Sequence, residues 1–160
     1  MRKMRKNPNL LFTSLCLSLS LSLVKLATAS TPHREVNLKL EETIGKVRSE
    51  SSLTARTQAA EHLAELTRKT NAAYIDNKTI SDIASLLDIP EDSVQAWVAS
   101  ALGHIGRRAS SAAPRLLALL PVSDCLQGDL TSSAFIRPAL KQMGVKPPPA
   151  RSYNDCQNTK

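Results

Sequence analysis

The clearest run of apolar positions extends from Val94 to Ile105, where Val94, Trp97, Val98, Ala101, Leu102 and Ile105 follow one another at intervals of 3-1-3-1-3. That spacing matches the α-helical turn and predicts a helix turning one continuous stripe inward. Upstream, Val36, Leu40, Ile44 and Val47 mark a more polar helix over residues 35–48, which Ser49, Glu50, Ser51 and Ser52 interrupt. An alanine-rich helix follows over 54–68, with Ala55, Ala59, Leu63 and Leu66 expected inside. A loop carries Tyr74 and Ile75. Thr79 and Asp82 have the spacing of a capping box and place the next helix start at Thr79, with Ile80, Ile83, Ala84 and Leu87 as its stripe. Ile89 and Pro90 end that helix, and Pro90, Glu91 and Asp92 suit the first turn of its successor.

Beyond Gly106, which closes the clearest helix, Leu116, Leu117 and Leu120 define a helix from Pro114 that Pro121 is expected to stop. A last helix covers 132–143, bent at Pro138, where a backbone donor is missing, and closed by Gly144. No sustained alternation of apolar and polar residues occurs, so the expected fold class is all-α.

Residues 1–29 follow a different pattern. Arg2, Lys3, Arg5 and Lys6 precede an apolar Leu/Ser run from Leu10 to Val24, and Ala27, Thr28 and Ala29 supply small residues for a peptidase. This is the layout of a secretory signal, with cleavage expected after Ala29. The run is shorter than the ~20 residues that span a bilayer. Cys16 lacks the small neighbour of a lipidated cysteine, so no lipoprotein is expected.

The division expected is therefore a signal at 1–29, an N-terminal segment with the first helix at 30–52, a helical domain at 53–144 and a proline-rich tail at 145–160. Five of the 21 basic residues and none of the 14 acidic ones fall in 1–29, which leaves 16 bases against 14 acids and a net +2. A nearly neutral, aromatic-poor domain has neither the concentrated positive charge nor the rings that nucleic acid binding needs. Beyond the signal, Cys125 and Cys156 form an even pair, simplest as a disulfide that fastens the Pro147–Pro149 tail to the last helices.

The chain also resembles itself. Ala59, Leu63 and Leu66 fall on Val98, Leu102 and Ile105 at a shift of 39, and Phe135, Ile136, Ala139, Leu140, Met143 and Gly144 fall on Trp97, Val98, Ala101, Leu102, Ile105 and Gly106 at a shift of 38. Recurrence at this distance is the mark of stacked helix pairs. The stretch from Val94 to Gly106, followed by Ala109, Ala113, Pro114 and Leu116 to Leu120, resembles a HEAT-like repeat of the short bacterial type. Arg56, Ala59, Ala60, Glu61, Leu63 and Leu66 echo it in a first copy, and the third copy is half a unit. The resemblance implies a short α-solenoid of about two and a half helix pairs over 53–144 and specifies fold, not activity. Two positions depart from the pattern: Gln95 replaces the usual arginine of an inter-repeat ion-pair ladder, and Trp97 replaces alanine. Trp97 lies on the inward stripe, where core packing is expected ahead of a binding anchor.

No catalytic constellation is present. His33, His62 and His104 are the histidines, and there is no His-Glu-x-x-His, Cys-x-x-Cys, glycine-rich phosphate loop or Gly-x-Ser-x-Gly elbow. Neither a cofactor nor a metal site is expected, and the chain is read as a non-enzyme. The expected activity is protein binding, directed at another exported protein in the manner of an inhibitor or immunity protein. The proposed contact surface is the second-helix face, with Leu86 and Leu119 as apolar contacts and Lys78, Asp82 and Arg115 at the rim. Self-assembly of an envelope protein into a homo-oligomer is the structural alternative, and a lyase-related subunit is the enzymatic one.

Overall fold

The structure is a computed structural model and describes residues 32–126 and 131–157; the expected signal lies outside the described residues. It contains α1 (Pro32–Ser49), α2 (Leu53–Lys69), α3 (Asn77–Ser85), α4 (Asp92–Ile105), α5 (Ala113–Ser123), α6 (Ser132–Gln142) and α7 (Tyr153–Gln157). Tight 3-10 turns at Ala72–Tyr74, Leu86–Asp88 and Gly106–Ala112 join them. No strand occurs among the described residues, and none of their helices is long and apolar enough to cross a membrane.

Packing centres on α4, which has α2 on one flank and α6 on the other. From Glu91 to Gly106 no residue is fully exposed. The expected stripe is buried at Val94, Val98, Ala101, Leu102 and Ile105, and Ala96, Ala99 and Gly103 are buried beside it. These small residues let both neighbours approach, so the burial goes almost all the way round. α1 packs on α2 and α3, and α5 packs on α6.

On α2 the buried residues are Ala60, Leu63, Ala64 and Thr67, while Ala55, Ala59 and Leu66 are only partly covered. The expected stripe is thus rotated by about one residue, because the alanines Ala60 and Ala64 offer α4 a flatter surface than the bulkier Leu66. Leu40, Ile44 and Val47 of α1 are buried as expected, joined by Thr43, whose hydroxyl donates to the Lys39 carbonyl at 2.9 Å.

Several helix boundaries differ from expectation: α1 begins at Pro32, Pro90 lies outside α4, whose cap is Glu91, and the start of α3 and the end of α5 shift for identifiable reasons. α3 starts at Asn77, because Asp76 is its cap and accepts from the Thr79 amide at 2.7 Å. That bond holds the Asp76 carboxyl below its ordinary range. Thr79 is buried within the first turn, and Asp82 accepts from Lys78 at 2.8 Å rather than reaching back to a cap. α5 runs through Pro121 to Ser123. Only one short turn follows the proline, so a single lost helical bond is tolerated, and the Asp124 amide still reaches the Leu120 carbonyl at 2.8 Å.

The starts of α2, α4 and α6 are tied together by polar contacts. Arg56 donates to the Glu91 carboxylate and, at 2.6 Å, to the Glu50 carbonyl. Thr57 and Ser93 hydroxyls lie 2.9 Å apart. Gln95 donates to the Ile89 carbonyl at 2.9 Å, six residues back as Arg56 does to Glu50. An ion pair therefore links α2 to the start of α4 even though Gln95 is uncharged.

The tail lies against α5 and α6. Cys125 and Cys156 are joined as a disulfide with their Cα atoms 5.4 Å apart. Arg137 of α6 donates to Asp124 at 2.5 Å and also to the carbonyls of Pro148 and Pro149. The Arg151 amide completes the clamp on Asp124 at 3.2 Å.

Candidate binding groove

The helix row leaves a groove of about 560 Å³ along the line where α2 meets α4. Gln58, Glu61, His62, Glu65 and Arg68 border it from α2, one or two turns apart, and Trp97, Ser100 and His104 border it from α4. Residues i, i+3, i+4 and i+7 share a helix face, so each helix contributes one consistent edge. A smaller hollow continues across α4 to α6, sharing Ser100 and His104 and adding Phe135, Pro138 and Gln142.

Trp97 is half-buried in this groove. Its ring stands 5.5 Å from that of Phe135, tilted by 51°, an edge-inclined packing that fixes the indole while leaving part of it accessible. The expectation of simple core burial is therefore only half met. His104 is positioned by its Nδ1, 3.1 Å from the carbonyl of Ala64. A carbonyl can only accept, so Nδ1 carries the proton and Nε2 of the neutral ring is left as an acceptor.

The charges along the groove are unevenly matched. Arg68 donates twice to Glu65, at 2.7 and 2.8 Å, and Lys69 adds a contact at 2.7 Å. Arg68 first and Lys69 second draw the Glu65 carboxyl down to about 2. Glu61, one turn earlier on the same edge, has no ion-pair partner among the described residues. His62 and His104 both border the groove, yet no group of three or more His, Cys, Asp and Glu side chains is placed to hold a metal among the described residues.

Of the five residues expected on the second-helix face, Lys78 and Arg115 are exposed, Asp82 and Leu119 are half-buried, and Leu86 is withdrawn from the surface. Leu86 is 1% exposed and belongs to the core, which removes it as a partner contact. The 3-10 turn at Leu86–Asp88 follows α3 directly and turns Leu86 and Leu87 inward together. Lys78 and Asp82 are committed to an ion cluster, with Lys78 donating also to Glu41 at 2.9 Å and Arg48 standing 3.8 Å from Asp82. Asp82 first and Glu41 second raise the Lys78 ammonium above its ordinary value. Arg115 reaches across to the Ala84 carbonyl at 2.9 Å and to Asp88 at 3.4 Å. Leu119 is half-buried, one turn before the exposed Val122.

Glu61, Ser100 and His104 were missed as groove residues. The available signal was Trp97, a large ring on a helix otherwise built of small and medium side chains. Comparison of the chain with family models, with curated proteins and with solved structures finds no match.

Proposed function

We propose that this chain is an exported protein-binding module of HEAT-like build, and that it holds its partner in the groove between α2 and α4. The observation that carries the reading is the half-buried Trp97, fixed by Phe135 at the edge of an open groove whose other borders are mostly polar. A rigid, partly accessible aromatic ringed by polar groups is the composition of an interaction hot spot. The side-by-side order of α2, α4 and α6, with alanine and glycine at the contacts, supports a short solenoid, an architecture that offers extended binding faces. The disulfide supports residence in an oxidising compartment, in keeping with the signal-like residues 1–29. An inhibitor or immunity protein is one form such a module takes.

The test replaces Ser100 by benzoylphenylalanine and irradiates the mature protein in the envelope of its host. One discrete adduct is expected from position 100 and none from Leu38, an exposed residue on α1. Trp97→Ala should abolish the adduct, whereas the pair Arg115→Glu and Leu119→Asp should leave it intact. Loss in the second case, with Trp97→Ala harmless, would move the site to the α5 face.

A further inference from the structure

The shape and charge of this groove restrict what it can hold, and the following step rests on the binding role proposed above. We infer that the groove receives an arginine side chain from an extended segment of the partner, its guanidinium lying on the indole of Trp97 and donating to the carboxylate of Glu61.

The groove carries more negative charge than its own cation can offset. Glu61 can only accept, and His104, with Nδ1 committed to Ala64, offers Nε2 as an acceptor. Gln58, Ser100 and His62 also line the groove, and each can accept as well as donate, so none of them balances a charge. The one cation on the border, Arg68, has its fork spent on Glu65. What remains uncompensated is the negative charge of Glu61. A carboxylate or phosphate guest would meet repulsion there. A neutral aromatic could stack on Trp97 but would strip water from Glu61 and leave it unpaired, a costly arrangement.

A cation satisfies both features. Between the two candidates, lysine is a compact, strongly hydrated point charge, whereas the planar guanidinium stacks on an indole face and donates in its own plane at the same time. The groove asks for that combination, a ring on one border and acceptors on the facing one. The adjoining hollow along Phe135, Pro138 and Gln142 gives flanking backbone somewhere to lie, which is why a peptide segment fits better than free arginine.

Trp97 is the chain's single tryptophan, so its fluorescence reports directly on the groove. The probes are acetyl-Gly-Arg-Gly amide and its lysine and citrulline counterparts, titrated into the mature, oxidised protein at low salt. Citrulline keeps the shape of arginine and removes the charge. Saturable quenching by the arginine peptide is expected, with the citrulline peptide weaker by roughly tenfold and lysine between them. Glu61→Gln should weaken the arginine peptide by a similar factor, leaving the helical spectrum unchanged, and calorimetry provides a readout that does not depend on the indole.

Equal binding of arginine and citrulline peptides, an unaffected Glu61→Gln variant, or no saturation by about 20 mM peptide would each overturn the inference. Should the position-100 adduct still form in any of those cases, the groove remains a binding site and only its preference for arginine is lost. Absence of both the adduct and saturation would remove the binding site as well.

Discussion

Gly103 and Gly45 look alike in the sequence and differ sharply in what surrounds them. A Cβ on Gly103 would lie 2.5 Å from the Gln142 side-chain oxygen and 3.0 Å from both Cα and Cβ of Ala139. The Gln142 amide can swing away, but Ala139 is backbone in α6 and can only be pushed. Gly45, exposed on α1, has nothing within 4 Å. Opposite signs are therefore expected from one substitution. Gly103→Ala should overpack the α4–α6 contact and cost about 1–2 kcal/mol even after its gain in helix propensity. Gly45→Ala should stabilise by about 0.5–1 kcal/mol. Paired urea titrations decide the matter, and a stabilised Gly103→Ala would show that α6 is not pressed against α4.

At the scale of elements, α6 is the instructive case because its own N-cap, Thr131, makes no capping bond. Its first amides are satisfied from elsewhere. Asp92 of α4 accepts from the Ser132 amide at 2.9 Å, and the Ser123 hydroxyl at the end of α5 accepts from the Ser133 amide at 2.6 Å. A carboxylate placed there also meets the positive end of the helix. Asp92→Ala should thus act as a cap deletion in α6 rather than in α4, costing about 1–2 kcal/mol. Hydrogen exchange should quicken at Ser132 and Ser133 while the amides of Val98 to Leu102 stay protected; faster exchange confined to the start of α4 would defeat this account.

The same example shows why helices were legible and their ends less so. The stripe from Val94 to Ile105 repeats every turn and announces α4 many times over. A cap is one residue, and Thr79 and Asp82 formed a plausible box that Asp76, three residues earlier, pre-empted. The contact of Asp92 with Ser132 joins residues 40 apart and leaves no local trace. The groove was half legible for the same reason: Trp97 stood out on its own helix, but Glu61 and Gln58 belong to its border only because α2 packs beside α4. Leu86 failed as a surface residue because a 3-10 turn changed the angle at which it meets the core.

For the molecule as a whole, the decisive arrangement is the tail against α5 and α6, held by two fastenings of different kinds. The disulfide between Cys125 and Cys156 constrains the unfolded chain and is worth roughly 3–4 kcal/mol on the loop-entropy account. The Arg137 clamp is enthalpic and local, joining Asp124, only 6% exposed, to the carbonyls of Pro148 and Pro149. Removing Arg137 alone would leave the buried Asp124 carboxylate with the Arg151 amide but no counter-charge, and a loss of about 3–5 kcal/mol follows for Arg137→Ala. In the pair Cys125→Ser and Cys156→Ser the tail is free to leave, water reaches Asp124, and Arg137 then has fewer bonds to lose. The two changes should consequently be less than additive, with a coupling of about 1–2 kcal/mol in a double-mutant cycle read by denaturant unfolding. Strict additivity would mean that the tail stays seated without its disulfide, making Arg137 sufficient to close this end of the helix row.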